Sequence, residues 1–286
     1  MALPSSIQNV SDTSFWVAHY RAKESARPDA LFNDPLAAFL TSDRGEAFSK
    51  SMGHVSRYSE WSVISRTVII DRMIEQLVND GVDAVINLGA GLDTRPFRMN
   101  LPEALEWIEV DYENIIAYKN EALHSEKSRC RLTRVALDIS LHEERKKFLT
   151  SVLPHAKKVL ILTEGVIPYL SEEQVAALSV DLFAQNRIRY WITEYFHPKV
   201  YRHLQSADFA QKMKNAPFRF FPADWLGFFK SLGWVAKEVR FTSEIAREFN
   251  RLMPMPSWAR LILRLMPKKM REESIRMSGH VIFQKH

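Results

Sequence analysis

The stretch with most chemistry in it is Asn87-Leu88-Gly89-Ala90-Gly91-Leu92-Asp93, which completes the apolar run Ala84–Leu88 and turns away from it. Two glycines one residue apart let a backbone turn tightly and approach a ligand closely. In an α/β sheet this is the place where the first strand opens into a ligand crevice, although a plain strand-to-helix turn has the same pattern. A dinucleotide fingerprint would continue to a third glycine, but Thr94 stands there and Pro96 follows, and no Gly-Lys-Ser/Thr phosphate loop appears. A glycine turn without a phosphate seat suits a cofactor that lacks phosphate, such as S-adenosylmethionine. Glu109 and Asp111 close the next apolar run about 20 residues on, where a carboxylate can take two ribose hydroxyls. Asp111 serves equally as an N-cap for a helix from Tyr112 onward. Asp138 ends a third run and Glu164 a fourth. The glycine turn and these acids thus fall at the carboxyl ends of successive strands, the rim on which open α/β sheets bind ligands.

A sheet must hold these positions. Apolar, β-rich runs recur at Ala84–Leu88, Leu105–Val110, Leu132–Ala136, Val159–Thr163, Arg189–Tyr195, Trp234–Phe241 and His280–Gln284. Between the first five lie segments of helical period, such as Glu172–Ala184, with Val175, Leu178 and Leu182 on one stripe. Strand–helix alternation predicts an α/β fold, a Rossmann-like seven-stranded mostly parallel sheet with an antiparallel last strand, plus helical caps. That last strand neighbours Arg189–Tyr195 and Trp234–Phe241. The caps fall at residues 1–80, 197–220 and 243–277. Trp61, Ile64, Val68, Ile69, Met73 and Leu77 share one face of a helix that Gly81 ends.

Composition narrows the class. The chain has 286 residues, 46% hydrophobic and 26% charged, which excludes a disordered tail protein. With no internal repeat and no Gly/Ser linker, residues 1–286 read as one domain. Cys130 is the sole cysteine and cannot form an intrachain disulfide, so a reducing, cytoplasmic setting is expected. The N-terminus lacks the basic-then-apolar order of a signal peptide, and Arg260 and Arg264 interrupt the most apolar late segment. No membrane partner is therefore expected. The net charge of +5 and pI of 9.2 arise from scattered Lys/Arg and from the neighbourhood of Lys268, Lys269 and Arg271. No basic run with interleaved aromatics accompanies them, so a solvated basic face is expected rather than nucleic-acid binding. Without an HExxH pair, and with a single cysteine, no metal is expected. The expected state is a monomer or homodimer.

The motifs SFWVAHYRAKES, NDPLA, SRTVIID, VINLGAGLDTRPFRM, IEVDYENI, ALDIS and LTEGVIPYL resemble class I S-adenosylmethionine-dependent methyltransferases of the leucine carboxyl methyltransferase group. Within it they are similar to the bacterial branch that includes tetracenomycin-type polyketide O-methyltransferases. The resemblance implies S-adenosyl-L-methionine as cofactor, with Arg21 and Arg66 holding its methionine carboxylate and Glu164 its ammonium. It further places Gly89, Ala90 and Gly91 beside the amino-acid and ribose portion, Asp111 on the ribose, and Asp138 with the backbone of Ile139 on the adenine. Arginines clamp carboxylates bidentately, and carboxylates suit ammonium groups and vicinal hydroxyls.

The acceptor is the thinnest part of the reading. A carboxylate is already ionised near pKa ~4, whereas a phenol near ~10 gains from a general base. His197 in TEYFHP is the best-placed histidine, and Tyr169 resembles the family's tyrosine near the methyl-transfer site. Phe218-Arg219-Phe220-Phe221 and the Met-rich segment Met253–Met270 are expected to wall the pocket, with Arg219, Arg251, Arg260 and Arg264 steering an acidic compound. These features imply O-methylation of a small acidic or phenolic molecule. The alternatives are a module that binds the cofactor without turnover, or a methyltransferase for protein carboxyl termini.

Overall fold

The computed structural model describes residues 10–53, 55–152 and 154–286. Its strands are β1 (Ala84–Leu88), β2 (Glu106–Asp111), β3 (Arg131–Ala136), β4 (Val159–Leu162), β5 (Ile188–Phe196), β6 (Trp234–Phe241) and β7 (Ser278–Lys285). They form one sheet in the order β3-β2-β1-β4-β5-β7-β6. The pairs among β1 to β5 are parallel, and β7 runs antiparallel between β5 and β6. All seven strands predicted from the sequence are present, and the last is the antiparallel one.

Before the sheet come α1 (Asp12–Ser25), α2 (Pro35–Ser51) and α3 (Val55–Asn79). Between strands lie α4 (Arg95–Arg98), α5 (Glu113–Ala122), α6 (His142–Ser151) and α7 (Glu172–Ala184). After β5 come the short α8 (Tyr201–Leu204), α9 (Ala207–Lys212) and α10 (Trp225–Ser231). Finally α11 (Thr242–Glu248), α12 (Ser257–Leu265) and α13 (Lys268–Ile275) separate β6 from β7.

The central strands β1 and β4 are buried along their whole length, which is why they read as unbroken apolar runs. Side-chain alternation sends Ala84, Ile86 and Leu88 to one face, packed with Val175, Leu178 and Leu182 of α7 and Trp225 and Phe229 of α10. Val85 and, from β2, β4 and β7, Trp107, Leu160 and Ile282 face the other way, against Ile69, Ile70, Met73, Ile74 and Leu77 of α3. Thus α3 is a layer of the core, not only a cap. The N-terminal helices have their own apolar cluster, with Phe15, Trp16 and Tyr20 of α1 against Leu40 and Phe48 of α2. Strand β3 is one edge of the sheet and has only exposed or half-buried positions, so its sequence carries charge where β1 and β4 do not.

Candidate active site

The turn after β1 is bound to the end of β2. Gly89 and Ala90 donate N–H groups to the Val110 carbonyl at 2.8 and 3.1 Å, and Gly91 N–H donates to Asp111 Oδ2 at 2.6 Å. Both glycines adopt positive φ, 71° and 48°, a region that costs other residues about 1–2 kcal/mol. At Gly89 a Cβ would also lie 2.4 Å from Val166 Cγ2, so the turn meets the loop after β4 with no room for a side chain. The other Asp111 oxygen, Oδ1, accepts Tyr112 N–H at 2.7 Å. Burial pushes the Asp111 carboxyl above its ordinary pKa, against the lowering effect of these two N–H groups.

A cavity of about 480 Å³ opens on this rim. Its floor comes from the carboxyl ends of β1 to β5: residues 89–93, 111–112, 137–140, 164–166 and Phe196. Its roof comes from α1 and α3, and its far wall from Val200, His203, Leu204, Phe209, Met213, Phe218 and Arg219. Arg21, Arg66, Gly89, Ala90, Gly91, Asp111, Asp138, Ile139, Glu164 and Tyr169 all line this one space.

Beneath the cavity runs a chain of buried ion pairs. Asp34 caps α2 by accepting Ala37 N–H at 3.1 Å, and it accepts Arg21 Nε at 2.8 Å. Arg98 lies 3.7 Å from Asp34 and donates twice to Asp71, at 2.7 and 2.8 Å. Fully buried Arg95 bonds Asp71 at 2.7 Å, Asp93 at 2.9 Å and Glu164 at 2.7 Å. Arg66 Nε sits 2.9 Å from the other Glu164 oxygen but is not aligned for a hydrogen bond; the contact is ionic. Burial alone would raise the Glu164 pKa, yet Arg95, Arg66 and Arg21 hold its carboxyl far below the ordinary range. Four arginines thus face four carboxylates. A zwitterionic amino-acid group placed between Arg21, Arg66 and Glu164 adds no net charge to that balance.

At the opposite end, Asp138 Oδ1 accepts Ser140 N–H at 2.9 Å, and the Ile139 carbonyl accepts Arg145 Nη1 at 2.5 Å. Tyr169 lines the same cavity, its ring 5.1 Å from that of Phe218. Burial pushes its hydroxyl up to about 12, against a lowering hydrogen bond with Thr13.

Several expectations need correcting. His197 is not among the cavity's lining residues; its Nδ1 accepts Lys199 N–H at 3.1 Å and caps the 3₁₀ turn Pro198–Val200. Of the aromatic run, Phe218 and Arg219 line the cavity, but Phe220 is buried against Trp225 and Phe228 in the sheet core and Phe221 packs on Tyr201. No described residue of 243–277 lines the cavity, so the Met-rich segment does not wall it. Arg251 instead bonds Asp29 and Glu24, and the side chains of Arg260 and Arg264 lie outside the described residues. The reading also missed Asp34, Asp71, Asp93, Arg95, Arg98 and His203. Asp93, Arg95 and Arg98 had a signal in GLDTRPFR, where charges crowd a turn directly after the glycines. Asp34 had one in the Asp-Pro pair that opens α2. His203 had none.

The residues present fit an S-adenosylmethionine molecule. Asn87 Oδ1, beside the glycine turn, is buried with no hydrogen-bond partner, and the cradle at Gly89 excludes even a methyl group. The donor set pairs arginines with carboxylates at the end where an amino acid would lie. The leucine carboxyl methyltransferase family model matches residues 14–182. A Frankia alni protein classed as an S-adenosyl-L-methionine-dependent methyltransferase is 29% identical over 255 residues, covering 85% of this chain and 90% of that protein. A Streptomyces avermitilis protein of the same class is 32% identical over 186 residues, 61% of this chain and 64% of its own. Among solved structures, a DUF574 family protein of Streptomyces avermitilis superposes with a TM-score of 0.58 at 14% identity, covering 94% of this chain and 97% of that one. At that identity the likeness shows the fold.

Proposed function

The chain belongs to the leucine carboxyl methyltransferase family and uses S-adenosylmethionine, and from that membership we propose that it methylates an oxygen of a small carboxylic or phenolic acceptor. The observation that supports this reading is the far wall of the cavity, where Leu204, Phe209, Met213 and Phe218 leave Arg219 and His203 as ionisable neighbours. Flat, apolar surroundings with a cation at the edge suit a small aromatic or acyl acid. Arg219 is exposed and would steer an anion to the mouth.

The cofactor supplies an electrophilic methyl group when bound. Arg21 and Arg66 would hold its carboxylate, Glu164 its ammonium, Asp111 its ribose hydroxyls, and Asp138 with the Ile139 backbone its adenine. The rest of the work is alignment and exclusion of water. With its pKa near 12, Tyr169 stays protonated at neutral pH, so it donates a hydrogen bond and positions the acceptor oxygen instead of removing a proton. A carboxylate needs no base. A phenol does, and among the described lining residues His203 is the imidazole that could accept the proton.

The test is formation of S-adenosylhomocysteine with a panel of carboxylic acids, phenols and peptides. Turnover of carboxylic acids unaffected by His203→Gln supports the carboxyl branch; turnover of phenols that falls with that change supports the phenolic one. Turnover confined to peptides ending in a free carboxylate would overturn the small-molecule reading. Tight cofactor binding with no turnover on any class would favour a binding module.

A further inference from the structure

The charge of this protein is not spread evenly. Residues 251–276 contain seven Lys/Arg and two Asp/Glu, a net charge of +5 that equals that of the whole chain. The remaining residues balance, 32 basic against 32 acidic. The same short stretch carries half of the exposed large hydrophobic side chains among the described residues: Leu252, Trp258, Leu261, Ile262, Leu265 and Met270. Trp258 is 66% exposed and Leu265 77%. In α12 the positions 258, 261, 262 and 265 follow helical spacing and form one apolar stripe. Arg260 and Arg264 recur out of phase with it in the sequence, and Lys268, Lys269 and Arg271, which follow, are exposed.

The segment is fastened beside the cavity at both ends. Trp61 donates its indole N–H to the Arg251 carbonyl at 2.8 Å, and Trp61 stacks 5.5 Å from Tyr58, a cavity-lining residue. At the other end Lys199 bonds Glu273 at 2.7 Å, next to lining residue Val200. The stretch between is therefore held near the rim while its apolar stripe faces outward.

From the coincidence of an exposed apolar stripe with the entire net positive charge, we propose that residues 252–271 dock on an anionic lipid surface. An acidic protein would match the charge but does not require four large apolar side chains turned outward. A second copy of this chain would bring two +5 segments together. An anionic bilayer satisfies both features at once, since aliphatic and indole groups enter the headgroup boundary while cations meet the negative surface. No helix among the described residues is long and apolar enough to cross a membrane. At roughly 1.5 Å per residue α12 spans about 13 Å, short of the ~30 Å hydrocarbon core, so it would lie in the interface. The expectation of no membrane partner was drawn from spanning segments and a leader, neither of which bears on docking of this kind.

The test is co-sedimentation of the full chain with vesicles of phosphatidylcholine alone or containing about one third phosphatidylglycerol. The expected result is about tenfold or greater partitioning onto the anionic vesicles, reversed by high salt. Leu261→Glu with Leu265→Glu should abolish it and Lys268→Glu with Lys269→Glu should weaken it, each leaving S-adenosylmethionine binding by calorimetry as in wild type. Absence of binding at low salt would overturn the proposal. So would binding that survives the Leu261 and Leu265 changes, which would mark diffuse charge adsorption. Equal, stripe-dependent binding to polyglutamate would assign the surface to an acidic protein, and self-association that Leu261→Glu disrupts would assign it to a second copy.

Discussion

Replacing His280 should flatten the acid sensitivity of this protein. His280 lies on β7 opposite Glu194 of β5 and Arg240 of β6. It is buried, and neither ring nitrogen has a protein hydrogen-bond partner. Burial lowers its pKa from 6.5 to about 3, with Glu164 pulling upward and Arg66 and Arg95 downward. Below about pH 6.5 the unfolded chain takes up a proton that the folded chain refuses, so stability falls with pH until both states bind it near pH 3. Between pH 7 and pH 5 this one group removes about 2 kcal/mol of stability. In His280→Leu that loss disappears, and replacing a ring with no partner by an apolar group of similar size should leave neutral-pH stability within about 1 kcal/mol or raise it. Urea unfolding by far-UV circular dichroism at pH 7 and pH 5, at fixed ionic strength, reads both. Other acid-titrating groups, Glu194 among them, are common to the two proteins and cancel in the difference. If wild type and variant lose the same stability on acidification, the neutral buried imidazole is not the cause.

Arg95→Met should lower stability by about 3–5 kcal/mol, because three carboxylates lose their shared buried cation. Differential scanning fluorimetry should show a fall of roughly 10 °C, and a shift under a degree or two would mean the network is not cooperative. Gly89→Ala places a methyl 2.4 Å from Val166 Cγ2 at a φ of 71°, so cofactor affinity measured by calorimetry should drop about tenfold or more. Adding Val166→Ala should restore part of that loss by removing the clash but not the backbone strain; no recovery at all would point to the φ value alone. Tyr169→Phe should cut acceptor turnover about tenfold, the cost of one positioning hydrogen bond, with cofactor affinity unchanged. A parallel loss of cofactor affinity would place the hydroxyl on the cofactor instead of the acceptor.

Strand–helix alternation exposed the sheet in the sequence because β1 and β4 are buried on both faces and α7 on one. The glycine turn and the strand-end acids were legible for the same reason: they sit at fixed offsets from strands that periodicity can locate. The arginine–carboxylate chain was not, since Asp34, Asp71 and Arg95 come from separate elements and meet only once α3 lies across the sheet. His197 read as a site residue because it follows a strand end, yet the turn at Pro198 uses its ring as a cap. Phe220 and Phe218 differ by two positions in one aromatic run, and only tertiary packing sends one to the core and the other to the cavity. The Met-rich segment read as a cover on composition, which carries no information about the direction in which its apolar stripe points.

The most direct test of the account is isothermal titration of S-adenosylmethionine and S-adenosylhomocysteine into wild type and Asp111→Ala, with NAD as the control ligand. Asp111 ties the glycine turn to β2 through Gly91 N–H at 2.6 Å and is assigned the ribose hydroxyls. Wild type should bind both sulfur ligands and not NAD. The variant should stay folded and bind them about 1–3 kcal/mol more weakly, roughly five- to 150-fold. Unchanged affinity in a folded Asp111→Ala protein, or preference for NAD, would contradict the placement of the cofactor on this rim.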